Sequence, residues 1–336
     1  MRRGSLPRQS RTGMFPVSFH VVKGRAGSVR AVRGFSRQCL ERLADYPELV
    51  LRAGRGKTVK HGRTAVVVRS RLPVDGEQCE VAIKRVRRRT WFKRFSSLFR
   101  QNHALRTFRL GHWLLERKIS TARPLAVVLP FRWRTDRPTW LVTEWVDGSA
   151  NLHQFVSHHA AKASGYSGSD RSSPSCFHSR VLRDAAVEVG LLIGRLHAAG
   201  AAHRDLKPGN VLVRNTSDGV QGLLVDLDGI CRKSAISFGT RVQNLGRLAE
   251  WALSEPSLSP TVLLRFLHGY LSAGEDVAVA GKVSRAAGAA VLPKAGLAGD
   301  WKLFWRAIAA DAARRQARRS LRPAKPVPEP EVRRAA

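Results

Sequence analysis

His203-Arg204-Asp205-Leu206-Lys207-Pro208-Gly209-Asn210, followed by Val211-Leu212-Val213, is the stretch on which the reading of this chain turns. A helical pattern precedes it over Ser179–Ala199, where Leu182, Ala186, Val189, Leu192, Ile193 and Leu196 fall on one face and Gly200 is the stop signal. A loop after a long helix thus carries Asp, Lys and Asn at spacings of two and three, just ahead of a short β-rich run. Sixteen residues beyond Asn210, Asp226 ends a second such run in Leu224-Val225-Asp226-Leu227-Asp228-Gly229. Asn210 and Asp226 are hard oxygen ligands of the kind that suits Mg²⁺, which takes a few protein oxygens and completes its shell with phosphate and water. Asp205 is then free to accept a proton from a hydroxyl, and Lys207 to neutralise charge on a moving phosphoryl group.

His203–Asn210 resembles the catalytic loop of the protein-kinase superfamily, H-R-D-x-x-x-x-N, and Asp226-Leu227-Asp228 stands in the place of D-F-G. Upstream, Val81-Ala82-Ile83-Lys84 matches V-A-I-K, whose lysine holds the α- and β-phosphates of ATP. Leu141-Val142-Thr143-Glu144-Trp145-Val146-Asp147-Gly148 is similar to the kinase hinge, which implies adenine bonded to backbone near Glu144 and Val146. The resemblance implies an α+β, two-lobe protein-kinase-like fold with ATP and Mg²⁺ (or Mn²⁺) as cofactors. It implies catalytic roles for Asp205 and Lys207, a nucleotide role for Lys84, and a metal site at Asn210 and Asp226.

Three departures narrow the branch. The glycine-rich stretch Gly54-Arg55-Gly56-Lys57-Thr58-Val59-Lys60-His61-Gly62 is not GxGxxG; Gly54 and Gly56 are read as a backbone nest for phosphates, against an ordinary hairpin turn. No acid occurs between Glu80 and Glu116, so the helix after Lys84 lacks the usual glutamate partner, and Gln101 or Asn102 stand near its place. No A-P-E and no long activation segment follow Asp228. These features, with Phe108–Leu115, Ile119–Ala126, Asn244-Leu245-Gly246-Arg247-Leu248 and Arg265–Leu271, resemble the bacterial lipopolysaccharide kinases over roughly residues 45–275. That resemblance implies a lipid-anchored sugar acceptor, Kdo (3-deoxy-manno-octulosonic acid) or heptose, at the cytoplasmic face of the inner membrane. Two rival readings are a Ser/Thr protein kinase and a basic pseudokinase that binds nucleic acid or membrane.

Composition bounds these readings. Of 336 residues, 43% are hydrophobic and 25% charged, which excludes wholesale disorder. The 59 basic against 25 acidic residues give +34, a surface that attracts polyanions such as an anionic membrane, which this chain is expected to bind peripherally; nucleic acid is disfavoured. Only 13 of the 59 are lysine, and a GC-rich genome produces the same bias. Residues 81–115 hold ten basic residues and no acid, with Arg87–Arg94 read as one membrane-facing run and Arg314–Arg319 as another, the latter on a helix whose Trp301, Phe304, Trp305 and Ile308 are anchors or core. The cysteines Cys39, Cys79, Cys176 and Cys231 show neither a disulfide framework nor zinc spacing. No run of 18 apolar residues is present, and the N-terminus is a poor signal peptide.

The expected layout is a basic, poorly ordered arm over 1–44 with a short helix around Phe35–Asp45, then a small ATP-binding lobe over 45–146. A helical catalytic lobe over 147–320 with a flexible insert at 161–175 follows, and a disordered Pro-rich tail over 321–336.

Overall fold

The computed structural model describes residues 19–48, 58–61, 65–86, 103–131, 134, 137–164, 174–280 and 301–321. The chain forms two compact units: residues up to Ala150 with Leu212–Asp228, and Asn151–Val211 with Gly229 onward. Leu212–Asp228, expected in the second lobe, therefore packs with the first.

The first unit is built on a sheet whose described strands run β1-β2-β6-β7-β5-β4-β3, every neighbouring pair antiparallel. They are β1 (His20–Lys23), β2 (Gly27–Ala31), β3 (Thr58–His61), β4 (Ala65–Val74), β5 (Glu77–Val86), β6 (Pro124–Pro130) and β7 (Thr139–Glu144). β4 and β5 meet at a two-residue turn in which Asp75 and Gly76 both take positive φ, 52° and 81°, as a tight hairpin twisted with its strands requires. Helix α1 (Arg37–Asp45) packs Leu40, Leu43 and Ala44 on Val29, Val81, Ile83, Val128 and Val142, while α2 (His103–Glu116) sets Ala104 and Phe108 against Val127, Leu129 and Leu141. Central β6 is thus covered on both faces, which is why Pro124–Leu129 reads as an unbroken apolar run.

The expected basic arm is corrected here. From His20 it supplies two strands and a helix, because Val29 and Ala31 alternate with Ser28 and Arg30 and turn their apolar side into the core. Residues 1–18 lie outside the described residues, as do Gly54, Gly56, Arg87–Arg94, Gln101, Asn102 and 322–336.

The second unit is mainly helical: α3 (Leu152–Ser164), α4 (Pro174–Ala198), α5 (Phe238–Ala252), α6 (Pro260–Ala280) and α7 (Trp301–Ser320). Of the expected insert, Ala161–Ser164 extend α3 and Pro174 opens α4; residues 165–173 lie outside the described residues. α4 and α6 pack closely because Gly190, Gly194 and Gly269 lack a Cβ that would strike Phe266, Ala273 and Val187 of the opposite helix. Gly200 ends α4 at φ +73°, where its N–H reaches the carbonyl of His197 at 3.1 Å. α7 buries Phe304, Ile308 and Ala312, so Phe304 and Ile308 are core and do not serve as membrane anchors. No described helix is long and apolar enough to cross a membrane, and the four cysteines are unbridged.

Candidate active site

In the first unit, β5 delivers Lys84 and β11 (Gly219–Leu224), paired with β10 (Val211–Thr216), delivers Asp226. The Thr121 hydroxyl donates to the Leu224 carbonyl at 2.7 Å and the Leu224 N–H to Ser120 at 2.9 Å, which fixes the end of β11. Lys84 Nζ then meets two carboxylates, Asp226 Oδ1 at 2.5 Å and Asp228 Oδ2 at 2.5 Å. Burial works to lower the Lys84 ammonium's pKa, but Asp228 and Asp226 outweigh it and the net shift is upward. Asp226 sits at φ +57°, a left-handed conformation uncommon for a residue with a Cβ but one that Asp adopts more readily than most.

Asp228 is the functional candidate that the sequence reading named only as part of a motif. Its Oδ1 accepts from Thr107 Oγ1 at 2.5 Å and lies 3.2 Å from His103 Nδ1, while its carbonyl takes Arg106 Nη2 at 3.1 Å. Burial alone would raise its pKa; His103, Lys84 and Thr107 overcome that and hold the carboxyl well below the usual carboxylate range. Among the described residues, the carboxylates that meet Lys84 Nζ are those of Asp226 and Asp228. The signal for Asp228 was the second acid of Asp226-Leu227-Asp228, read against the acid-free stretch between Glu80 and Glu116.

The expected hinge is held by its own bonds. The Glu144 carboxylate accepts the N–H of Arg123 at 2.9 Å, and the Glu144 N–H donates back to the Arg123 carbonyl at 2.9 Å. The Ser149 hydroxyl caps the Val146 carbonyl at 2.7 Å. Arg69 joins the same turn, bonded to Glu80 and to Asp147 at 3.1 Å and lying over the Trp145 ring.

In the second unit the loop between β9 (Ala201–His203) and β10 gathers the other three residues. Lys207 Nζ donates to Asp205 Oδ2 at 2.6 Å. Asn210 is buried, and its Nδ2 donates to the Asp205 carbonyl at 2.8 Å and to Asp205 Oδ2 at 3.4 Å. These bonds leave Asp205 Oδ1 and Asn210 Oδ1 out, on the amide orientation that the network favours. The Asp205 N–H reaches His203 Nδ1 at 3.2 Å, and the Arg204 N–H donates to the Gly229 carbonyl at 2.9 Å. Beneath the loop lies a buried chain of donors and acceptors. Arg241 Nη1 donates to the Tyr270 hydroxyl at 3.0 Å, which meets His197 Nδ1 at 2.9 Å; His197 Nε2 and the His203 N–H share Asn244 Oδ1 at 3.4 and 2.9 Å. Burial, with Arg241 nearby, pushes His197 down to about 3, so its ring is neutral and Nδ1 is free to accept from Tyr270.

An antiparallel sheet unit thus holds Lys84 with Asp226, and a helical unit holds the loop of Asp205, Lys207 and Asn210, residue types that kinases use. Within that class, residues 77–270, more than half of the chain, match the lipopolysaccharide kinase (Kdo/WaaP) family. The chain belongs to this family and is a kinase. Among solved structures it is similar to WaaP in complex with acyl carrier protein, at 19% identity and a TM-score of 0.49 over 80% of this chain and 92% of that one. No curated protein matches in sequence.

Proposed function

We propose that the chain transfers the γ-phosphoryl group of ATP to a sugar hydroxyl of the lipopolysaccharide inner core, on Kdo or heptose. The observation that carries this reading is the grip of Asp226 and Asp228 on Lys84 Nζ in a chain of this family. Lys84 is positioned by it to hold the α- and β-phosphates. Adenine is assigned to backbone groups at Glu144 and Val146, and the phosphates additionally to the glycine-rich stretch at Gly54 and Gly56, which lies outside the described residues. Mg²⁺ or Mn²⁺, when bound, neutralises charge on the phosphate oxygens. Each residue, within its own unit, has an oxygen of the kind such an ion takes: Asn210 has spent its amide nitrogen and keeps its oxygen, and Asp226 has a partly exposed carboxylate.

Asp205 Oδ1 accepts the proton of the sugar hydroxyl, while Oδ2 is held by Lys207. The hydroxyl oxygen bonds to the γ-phosphorus as the bond from that phosphorus to the β–γ bridging oxygen breaks, and ADP leaves. Lys207 stabilises charge on the transferred group. A sugar acceptor is favoured over a protein because α5 begins at Phe238, so the stretch after Asp228 is too short for an extended peptide-docking platform. We place the reaction at the cytoplasmic face of the inner membrane, where a lipid-anchored acceptor would be met by peripheral adhesion to anionic lipid.

Transfer of radiolabel from γ-labelled ATP to purified core lipopolysaccharide tests the reading, beside a generic protein substrate and an RNA mobility shift. Label is expected in the lipopolysaccharide and is lost with Asp205→Asn. Label in the protein alone supports the Ser/Thr kinase reading. RNA binding without transfer supports the pseudokinase.

A further inference from the structure

We propose that Asp228 is a positioning residue for Lys84, the fixed acid that a kinase lysine otherwise takes from its neighbouring helix; the proposal rests on the phosphotransferase reading above. The roles on α2 are inverted. That helix carries no acid facing Lys84 and instead presents Thr107 and His103 to a carboxylate arriving from the turn after β11, while Arg106 donates to the backbone carbonyl of the same residue.

The two aspartates are not equivalent. Asp228 has both oxygens engaged, Oδ2 by Lys84 and Oδ1 by Thr107 and His103, and its side chain is 24% exposed. Asp226 meets Lys84 through Oδ1 only and is 37% exposed. Asp226 is the acid available to a ligand, and Asp228 is the one bound into the fold. Gly111, one helical turn beyond Thr107, has no room for a Cβ against Pro124, which seats α2 where Thr107 reaches Asp228. α2, Lys84 and the Asp226–Asp228 turn are thereby tied together inside one compact unit.

Plain charge predicts the opposite outcome to positioning. Deleting a carboxylate beside a triphosphate relieves repulsion and tightens nucleotide binding. If Asp228 acts by holding Lys84, deleting its charge weakens binding instead. The test is titration of a fluorescent ATP analogue in chelator, without divalent metal, against wild type, Asp228→Asn, Lys84→Met, the double variant and Thr107→Val, with circular dichroism to check folding. Asp228→Asn should weaken binding about tenfold, the size of one charge-assisted hydrogen bond. The double variant should bind no more weakly than Lys84→Met alone, since the two residues act as one unit. Thr107→Val should weaken binding about threefold through loss of a neutral hydrogen bond. Unchanged or tighter binding by Asp228→Asn, or losses that multiply in the double variant, overturns the proposal. If Asp228→Asn does not fold, Thr107→Val decides, and unchanged binding there overturns it. A wild-type chain that binds no analogue removes the phosphotransferase reading and this proposal with it, a result distinct from normal wild-type binding with an indifferent Asp228→Asn.

Discussion

Asn244 on α5 accepts the backbone N–H of His203 through its side-chain oxygen at 2.9 Å, and both groups are buried. This bond sets where the loop carrying Asp205, Lys207 and Asn210 begins. Asn244→Leu strands the His203 N–H away from water, at a cost of about 1–3 kcal/mol. The expected result is a lower melting temperature and a reduced kcat with little change in ATP affinity, because Lys84 and Asp226 belong to the other unit. Asn244→Asp keeps an acceptor for the N–H and should recover most of the turnover. Equal loss in both variants would show that the bond does not position the loop.

Neutral His197 completes the same network and makes stability depend on pH. Its pKa is pushed down to about 3, against an ordinary value of 6.5. Below pH 6.5 the unfolded chain therefore binds a proton that the folded chain refuses. The unfolded state gains, and stability falls as pH drops from about 6.5 toward 3, by up to about 1.4 kcal/mol per pH unit for this residue. His112 and His159, each pushed down to about 4 by burial first, add to the same trend. Denaturant unfolding between pH 7.5 and 4.5 measures the slope. His197→Phe should be less stable at pH 7.5 yet show a shallower slope; an unchanged slope would mean that His197 does not set it.

The Asp205 and Asp226 carboxylates should separate in kinetics. Asp205→Asn removes proton acceptance but leaves the nucleotide unit untouched, so ATP binding persists while kcat falls about 10²–10⁴-fold. Asp226→Asn should lower both kcat and the affinity for Mg·ATP, while Lys84 keeps Asp228. Isothermal titration with Mg·ATP beside steady-state rates distinguishes the two. Near wild-type transfer by Asp205→Asn to every acceptor would remove it from the catalytic role.

What was legible in the sequence was local. The loop His203–Asn210 is one contiguous stretch whose spacing dictates its chemistry, and the Asp75-Gly76 turn and the apolar run of β6 announce themselves over a few residues. The partner of Lys84 was not legible in this way, because Asp228 lies 144 positions away and only the fold joins them. The absence of an acid between Glu80 and Glu116 was visible, but not that Thr107 and His103 would hold one from elsewhere. β1 and β2 were hidden by composition. With arginines dense and strands of only four and five residues, charge outweighed the short alternation of Val29 and Ala31. In α7 the Trp301–Ile308 stripe was open to both membrane and core, core being the commoner role, and packing against α5 decides for core.

That decision shapes the prediction on membrane adhesion. With Phe304 and Ile308 buried, α7 offers charge in place of an apolar anchor, and part of that charge is already paired: Arg315 with Asp311 at 2.6 Å and Arg319 with Glu250 at 3.4 Å. Adhesion should therefore be electrostatic, led by the run Arg87–Arg94, which lies outside the described residues, at about 1 kcal/mol per basic residue near an anionic surface. Exposed charge is screened within about 10 Å at 0.1 M salt, so binding should fade as ionic strength rises. Vesicles containing anionic lipid are expected to sediment the chain at low salt and release it at high salt, while neutral vesicles leave it in the supernatant. Replacing Arg87, Arg88, Arg89 and Arg94 by Gln should weaken this sedimentation and leave ATP binding intact, since Lys84 is the basic residue of that region assigned to the nucleotide. Salt-insensitive binding, or equal binding to neutral vesicles, would reveal an apolar anchor elsewhere. Failure to bind either kind would shift the acceptor from a lipid-anchored sugar toward one free in solution.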